Sequence, residues 1–261
     1  MAEKETKNNP KDLLEVTPEA LEKAKDVLPT LSTQRGPRNS RDRDAESRES
    51  RLANWVPKTQ TGKDVKSGAI TDIDAILTSG RRILEPEIVE SLLPLESELI
   101  EIGQAKGKFG GGKRRAWRTT QRKTMEGNVV SFSAMVVVGD KKGHVGVGMG
   151  KGKETLPGRE KAMRYARLAI KKIARGCGNF DCSCSEPHSV PFIVEGKCGS
   201  VRVKLIPAPQ GTGLVVGDEL KKILRLAGIK DAYGVTSGQT RTTFNAIKAC
   251  FDALLKTRDY T

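Results

Sequence analysis

The sequence predicts an α+β protein: two small mixed domains behind a long polar N-terminal extension. Three observations predict it. Residues 129–153 alternate in polarity and fold back on themselves as a hairpin. A basic amphipathic helix follows directly, and residues 190–257 repeat strand, strand, helix, strand and helix. The 261 residues suffice for two compact domains plus tails.

Residues 1–54 read as a mostly disordered tail, because 35–51 has almost no apolar side chain to offset its ordering entropy. One short helix is predicted inside it, with Thr17 as N-cap, Pro18 in the first turn and Ala20, Leu21, Ala24 and Leu28 on one face. Residues 55–94 form an extension of more ordered character, in which 85–93 is a short helix closed by Pro94.

The first domain spans 95–175. Residues 95–102 predict another short helix leading into it, and 103–123 read as a basic insertion. Within that insertion, 106–123 predict a flexible loop, since Gly110, Gly111 and Gly112 are too permissive to hold a shape. Lys113, Arg114, Arg115, Arg118, Arg122 and Lys123 surround Trp117, which stacks on a base or packs on the domain. Like charges this dense repel unless phosphate neutralises them. A merely soluble loop is the competing reading.

Val130, Phe132, Ala134 and Val136 then alternate with Ser131, Ser133 and Met135, the period of a strand. Residues 139–143 are a tight turn carrying Lys141 and Lys142, with His144 just beyond it. The return strand ends in Gly148, Met149, Gly150, Lys151, Gly152 and Lys153, where glycines let a partner approach and lysines offer charge to phosphate. Pro157 suits the first turn of the next helix, and Met163, Ala166, Ile170 and Ile173 make its apolar stripe. Arg159, Lys161, Arg164, Arg167, Lys171 and Lys172 fill the rest of its circumference. A hairpin backed by a basic helix suits the shape and phosphates of folded RNA; the competing reading is a solvated helix on an ordinary domain.

Residues 176–189 are a Cys-rich connector. Cys177, Cys182, Cys184 and His188 are spaced C-x4-C-x-C-x3-H. Four such donors could bind zinc, although the Cys-x-Cys step is awkward, and a tight interdomain turn is the other reading. No metal is assigned, and no cofactor is expected.

In the second domain, 190–195 and 201–206 predict two strands joined by a turn at 196–199. The loop 207–213 presents Gly211, Thr212 and Gly213, whose backbone is expected to touch RNA or a neighbouring protein. A helix follows with Leu220, Ile223, Leu224 and Ala227 on one face, stopped by Gly228. Residues 231–235 make a short strand, and the last helix carries Phe244, Ile247, Phe251, Leu254 and Leu255. Cys198 in the strand turn and Cys250 on the last helix both look structural.

The net charge of +14 is the footprint of a nucleic-acid binder. It is also segregated: 102–125 carries no acid, whereas 71–101 is acidic apart from Arg81 and Arg82. Aromatic residues make up only 4%, which favours recognition of structured RNA over stacking on single strands. No apolar run is long enough to span a membrane, the polar start predicts no signal peptide, and the crowded cysteines do not resemble a secreted disulfide framework. A cytoplasmic chain is expected. The glycines of 146–152 fail both the Walker pattern and G-x-G-x-x-G, and neither His144 nor His188 has a nucleophile and orienting acid at recognisable spacing.

Three passages together resemble the family of small-subunit ribosomal protein five: FSAMVVVGDKKGHVGVGMGKGKE at 132–154, GKCGSVRVKLIPAPQGTGLV at 196–215, and LAGIKDAYG at 226–234. The resemblance covers about 95–255. NWVPKT at 54–59, EPEIVESLLP at 85–94 and the cysteine cluster look archaeal rather than bacterial. The resemblance implies a double-stranded-RNA-binding-like first domain and a non-enzymatic, structural role in the small ribosomal subunit. It also implies contacts with ribosomal RNA and with small-subunit proteins four and eight, support of subunit assembly, and an influence on decoding accuracy. Residues 125–128 depart from the family, which has a more basic Gly-Arg-Arg-like turn there. The rival functions are a free double-stranded-RNA-binding regulator and a small-molecule kinase. The kinase is disfavoured because Gly211, Thr212 and Gly213 lack the serines of a phosphate cradle.

Overall fold

A computed structural model describes residues 50–104, 114–180, 182, 184 and 186–258. The helix predicted at 17–28 lies outside them. A helical turn at 50–53 leads into the extension, which folds into three short helices: α1 (Gln60–Lys66), α2 (Ile73–Thr78) and α3 (Pro86–Leu92). Thr59 caps α1, its hydroxyl accepting the Gly62 N–H at 3.1 Å, and proline opens α3. Val65, Ile73, Ile76, Ile83, Ile88 and Val89 bury together with Ile170.

The two passages at 54–59 and 85–94 meet in space. Glu85 accepts the backbone N–H groups of Lys58 (2.9 Å) and Thr59 (2.6 Å) and the Trp55 indole N–H (2.8 Å). Burial alone would raise its carboxyl, but these donors outweigh burial and hold it below the ordinary value.

The first sheet consists of β1 (Glu96–Leu99), β2 (Arg118–Thr124), β3 (Gly127–Gly139), β4 (His144–Gly152) and β5 (Lys171–Lys172). All pairings are antiparallel, in the order β1-β3-β4-β5. β3 is long enough that β2 pairs with its first half and β1 with its last residues. Two expectations are corrected here. Residues 95–102 contain a strand, not a helix, and the basic loop is ordered from Arg118 onward as β2. Helix formers such as Leu95, Glu96 and Leu99 misled the local reading; the unpaired edge of β3 decided it.

Helix α4 (Thr155–Leu168) crosses this sheet on the face bearing Ala134, Val136 and Val138. Its buried positions are Gly158, Ala162 and Ala166, of which the predicted stripe contained only Ala166. The chain leaves the helix after Leu168, so Ile170 joins the extension's core and Ile173 the main core. Opposite Ala134, Val136 and Val138 in register stand Gly150, Gly148 and Gly146. A Cβ at any of these glycines would enter the backbone of α4 at Gly158, Ala162 or Ala166. The partner that these glycines admit is the chain's own helix.

The second domain contains β6 (Val194–Cys198), β7 (Val201–Pro207), β8 (Leu214–Val215), α5 (Asp218–Ala227), β9 (Ala232–Ser237) and α6 (Thr243–Lys256). Its sheet runs β6-β7-β9-β8, with only β8 and β9 parallel. The predicted series gains one short strand, β8, and the first turn shifts to Gly199 and Ser200, where Gly199 has φ +61°. Gly228 stops α5 in the left-handed conformation, as predicted, and Leu220, Ile223, Leu224 and Ala227 are all buried. On α6 the predicted Ile247 and Leu254 are buried together with Ala246, Ala249, Cys250 and Ala253, while Phe244 and Phe251 are partly buried.

One core joins the two sheets. Ile100, Met135, Val137, Val145 and Ile173 pack with Val203, Leu205, Leu224 and Leu254. Consequently β3 is buried on both faces over its second half.

Candidate nucleic-acid interface

The strand register sorts the predicted cations. Arg118, Ser133 and Lys151 stand in one cross-strand row on β2, β3 and β4, and Arg122 follows four residues along β2 on the same face. Their row alternates with the one under α4, so they lie on the opposite face, toward the second domain. Arg118 and its neighbour confirm this side: the Arg118 guanidinium lies 5.7 Å from the Phe244 ring centre, and an Arg114 Nη1 N–H reaches the Arg241 carbonyl at 3.4 Å. Between them the face is hydroxylic, with Thr120 and Ser131 side chains bonded at 2.8 Å. Lys123 lies on the other face of β2, and Lys153 follows the end of β4. Arg115, Arg118, Arg122, Lys123, Lys151, Lys153 and Arg164 are exposed. Lys113 lies outside the described residues.

Lys141, Lys142 and Lys171 cluster at the opposite end of β4. At ~3.3 Å per residue the two ends are about 26 Å apart, so the predicted set is two patches rather than one. Lys141 also meets Glu96 at 2.6 Å. The groove beside it, about 830 Å³, is lined by Arg175, Lys221, Arg225 and Lys230, which sequence reasoning missed because they come from separate elements. Lys197, Arg202 and Lys204 were also missed. They are exposed on the outer face of the second sheet, and the V-R-V-K alternation at 201–204 was the signal.

Two of the predicted contact residues are engaged within the chain. His144 is buried between two carboxylates: Nδ1 lies 2.6 Å from Asp140 Oδ2 and Nε2 2.9 Å from Asp74 Oδ1. The Asp140 hydrogen bond raises its pKa against the opposing effect of burial, with Asp74 adding to the rise. Burial pushes Asp140 up, yet the His144 side chain and the backbone N–H groups of His144 and Lys142 bring it below the ordinary carboxylate value. Asp74 is likewise lowered despite burial, by Lys172 (2.6 Å) and His144. The group docks α2 onto the β3–β4 turn. Arg167, 13% exposed at its side chain, faces Glu90 at 2.8 Å; Glu90 also holds Arg51 at 3.0 Å. Both side chains join the extension to the first domain.

The 207–213 loop is partly committed as well. Gly211 (φ +88°) and Gly213 (φ +74°) need glycine, and open space surrounds both. The N–H groups of Thr212 and Gly213, however, are donated to the Pro209 carbonyl (3.3 Å) and to Asp231 Oδ1 (2.7 Å). The glycines of 146–152 cradle no nucleotide, because α4 covers them.

Four other donors converge in the connector. Cys177, Cys182, Cys184 and His188 place their ligand atoms within 4.8 Å of one another. Cys182 Sγ lies 3.0 Å from Cys184 Sγ and 3.4 Å from His188 Nε2, while His188 Nδ1 lies 2.8 Å from Asp231 Oδ2.

Cations on two flanks of a rigid α+β scaffold, with glycines filled from within and histidines engaged by carboxylates, define a structural binding protein rather than an enzyme. Comparison with known proteins names the family. Residues 116–174 match the N-terminal domain of ribosomal protein S5, and 196–261 match its C-terminal domain. The chain is 51% identical over 206 residues to the small ribosomal subunit protein uS5 of Nanoarchaeum equitans, covering 78% of this chain and 88% of that one. The uS5 of Pyrobaculum calidifontis is 49% identical over 207 residues (79% and 95%), and that of Methanococcus maripaludis 47% over 211 (80% and 86%). The chain belongs to the ribosomal protein S5 family, of archaeal type, and is not an enzyme.

Proposed function

We propose that this protein is a structural constituent of the small ribosomal subunit that binds ribosomal RNA through its first domain, supports assembly of the subunit and contributes to decoding accuracy. Its place is the cytoplasmic ribosome; no helix among the described residues is long and apolar enough to cross a membrane. The observation that carries the reading is the row of Arg118 and Lys151 across β3, with Arg122 beside it. These cations are exposed on a hydroxylic strand surface rather than paired in the core. Phosphate contacts position a protein on structured RNA, and such a row matches a ribose-phosphate strand. The loop 207–213 is proposed to touch RNA or a protein neighbour, and small-subunit proteins four and eight are the proposed neighbours.

Replacing Lys151 and Lys153 with Gln tests the reading. Binding to folded small-subunit RNA should weaken, and its log–log salt slope should flatten by roughly 0.7–0.9 per lost phosphate contact. An unchanged slope would remove these lysines from the interface.

A further inference from the structure

We propose that Cys177, Cys182, Cys184 and His188 form a closed structural zinc site of three thiolates and one imidazole, which staples the connector to the second domain. All four cysteine and histidine donors sit in one cluster, and the cysteines are free thiols. Tetrahedral zinc, with Zn–S of about 2.3 Å and Zn–N of about 2.0 Å, sets neighbouring ligand atoms about 3.5–3.8 Å apart. The 3.4 Å between Cys182 Sγ and His188 Nε2 is already close to that. The 3.0 Å between Cys182 and Cys184 has to open by about 0.8 Å, within reach of side-chain rotation. The Cys-x-Cys spacing that argued against zinc in the sequence is therefore no obstacle, because both sulfurs reach one point.

The surroundings are those of a ligand set. His188, 2% exposed, gives Nδ1 to the Asp231 carboxylate. That bond places the ring proton on Nδ1 and turns the Nε2 lone pair toward Cys182, the carboxylate–histidine arrangement found behind metal-bound imidazoles. Backbone N–H groups of Gln210 and Cys184 point at the Cys182 sulfur. Three soft donors and an imidazole select zinc over calcium or magnesium, and four protein ligands leave no position for substrate.

The site also has work to do. Paired hydrogen bonds between Gly176 and Ser189 (3.0 and 2.9 Å) close the base of the connector. Inside that loop Phe180, its large apolar side chain among the described residues, is fully exposed. Asp231 ties the cluster onward: its second oxygen accepts the Gly213 N–H, so the metal would fix the 207–213 loop as well.

The test uses the full chain, stripped of metal and titrated with cobalt(II), then with zinc. One equivalent of cobalt should bind with the absorption of a tetrahedral thiolate centre, and zinc should displace it. X-ray absorption of the zinc-loaded wild type should give three sulfurs and one nitrogen. Cys184→Ser and His188→Ala should weaken binding at least 100-fold, Asp231→Asn about 10–100-fold, and Cys198→Ser not at all. A shell of oxygen and nitrogen alone in the wild type, or equal losses from Cys198→Ser and Cys184→Ser, would overturn the assignment.

Discussion

Gly148 on β4 and Gly158 on α4 lie on opposite sides of the α4–sheet contact, and the same substitution should act on them with opposite sign. A methyl group at Gly148 would lie inside the backbone of Ala162 and Ala166, atoms that no rotamer can move. Overpacking of this kind costs about 3 kcal/mol. At Gly158 the nearest atom to an added Cβ is the Phe132 carbonyl oxygen at 3.5 Å, ordinary contact, and Gly→Ala inside a helix gains up to about 1 kcal/mol. At about 2–4 °C per kcal/mol for a chain of this size, Gly148→Ala should melt about 6–12 °C lower and Gly158→Ala a few degrees higher. Thermal unfolding of the purified variants by circular dichroism measures both. RNA affinity, taken well below either midpoint, should be unchanged. A Gly148→Ala variant that melts like the parent but loses RNA affinity would refute the packing argument and make the glycine an RNA contact.

Leu224→Ala removes a fully buried side chain from the shared core and should cost about 2–5 kcal/mol in urea unfolding, with no change in salt slope. Glu85→Ala should loosen residues 55–59 by roughly 1.5–3 kcal/mol, read as a shift in Trp55 emission and faster proteolysis there; an unaltered spectrum would contradict the clamp. The α2 contact should depend on pH in two directions. His144 has a raised folded pKa, so its contribution is whole below its unfolded value of about 6.5 and lost as pH climbs through the raised one. Asp140 and Asp74 have lowered folded values, so theirs is present above about 3.9 and lost as pH falls. His144→Gln should abolish the alkaline limb of a stability–pH profile and shrink the acid limb, because the imidazole also helps to hold Asp140 and Asp74 down.

Much of this molecule was legible because local signals and tertiary demands agreed. The hairpin of β3 and β4, the α5 stripe stopped by Gly228 and the helix opened by Pro86 all follow from period and punctuation. The errors share a cause. Met163, Ile170 and Ile173 are the large apolar residues near α4, so they drew the stripe; the real contact uses Gly158, Ala162 and Ala166, because the helix lies so close to β4 that only small residues fit. Likewise His144 and Arg167 look like free polar groups in sequence, and only their partners Asp74 and Glu90, both in the extension, remove them from the surface. The glycines and the cluster at 177–188 were visible as patterns, but whom the glycines admit and how far apart the sulfurs lie are facts of tertiary distance.

The core common to both sheets constrains how the chain can be made. Met135, Val137 and Val145 are covered by Leu224, Leu254 and their neighbours, which a ribosome synthesises much later. At about 5–20 residues per second, the back of the first sheet waits on the order of ten seconds for its cover. During that interval a nascent chain ending near residue 175 displays a wet apolar sheet face, prone to stick to other nascent chains. A fragment containing the first domain alone should therefore be an aggregating species rather than a miniature of the whole.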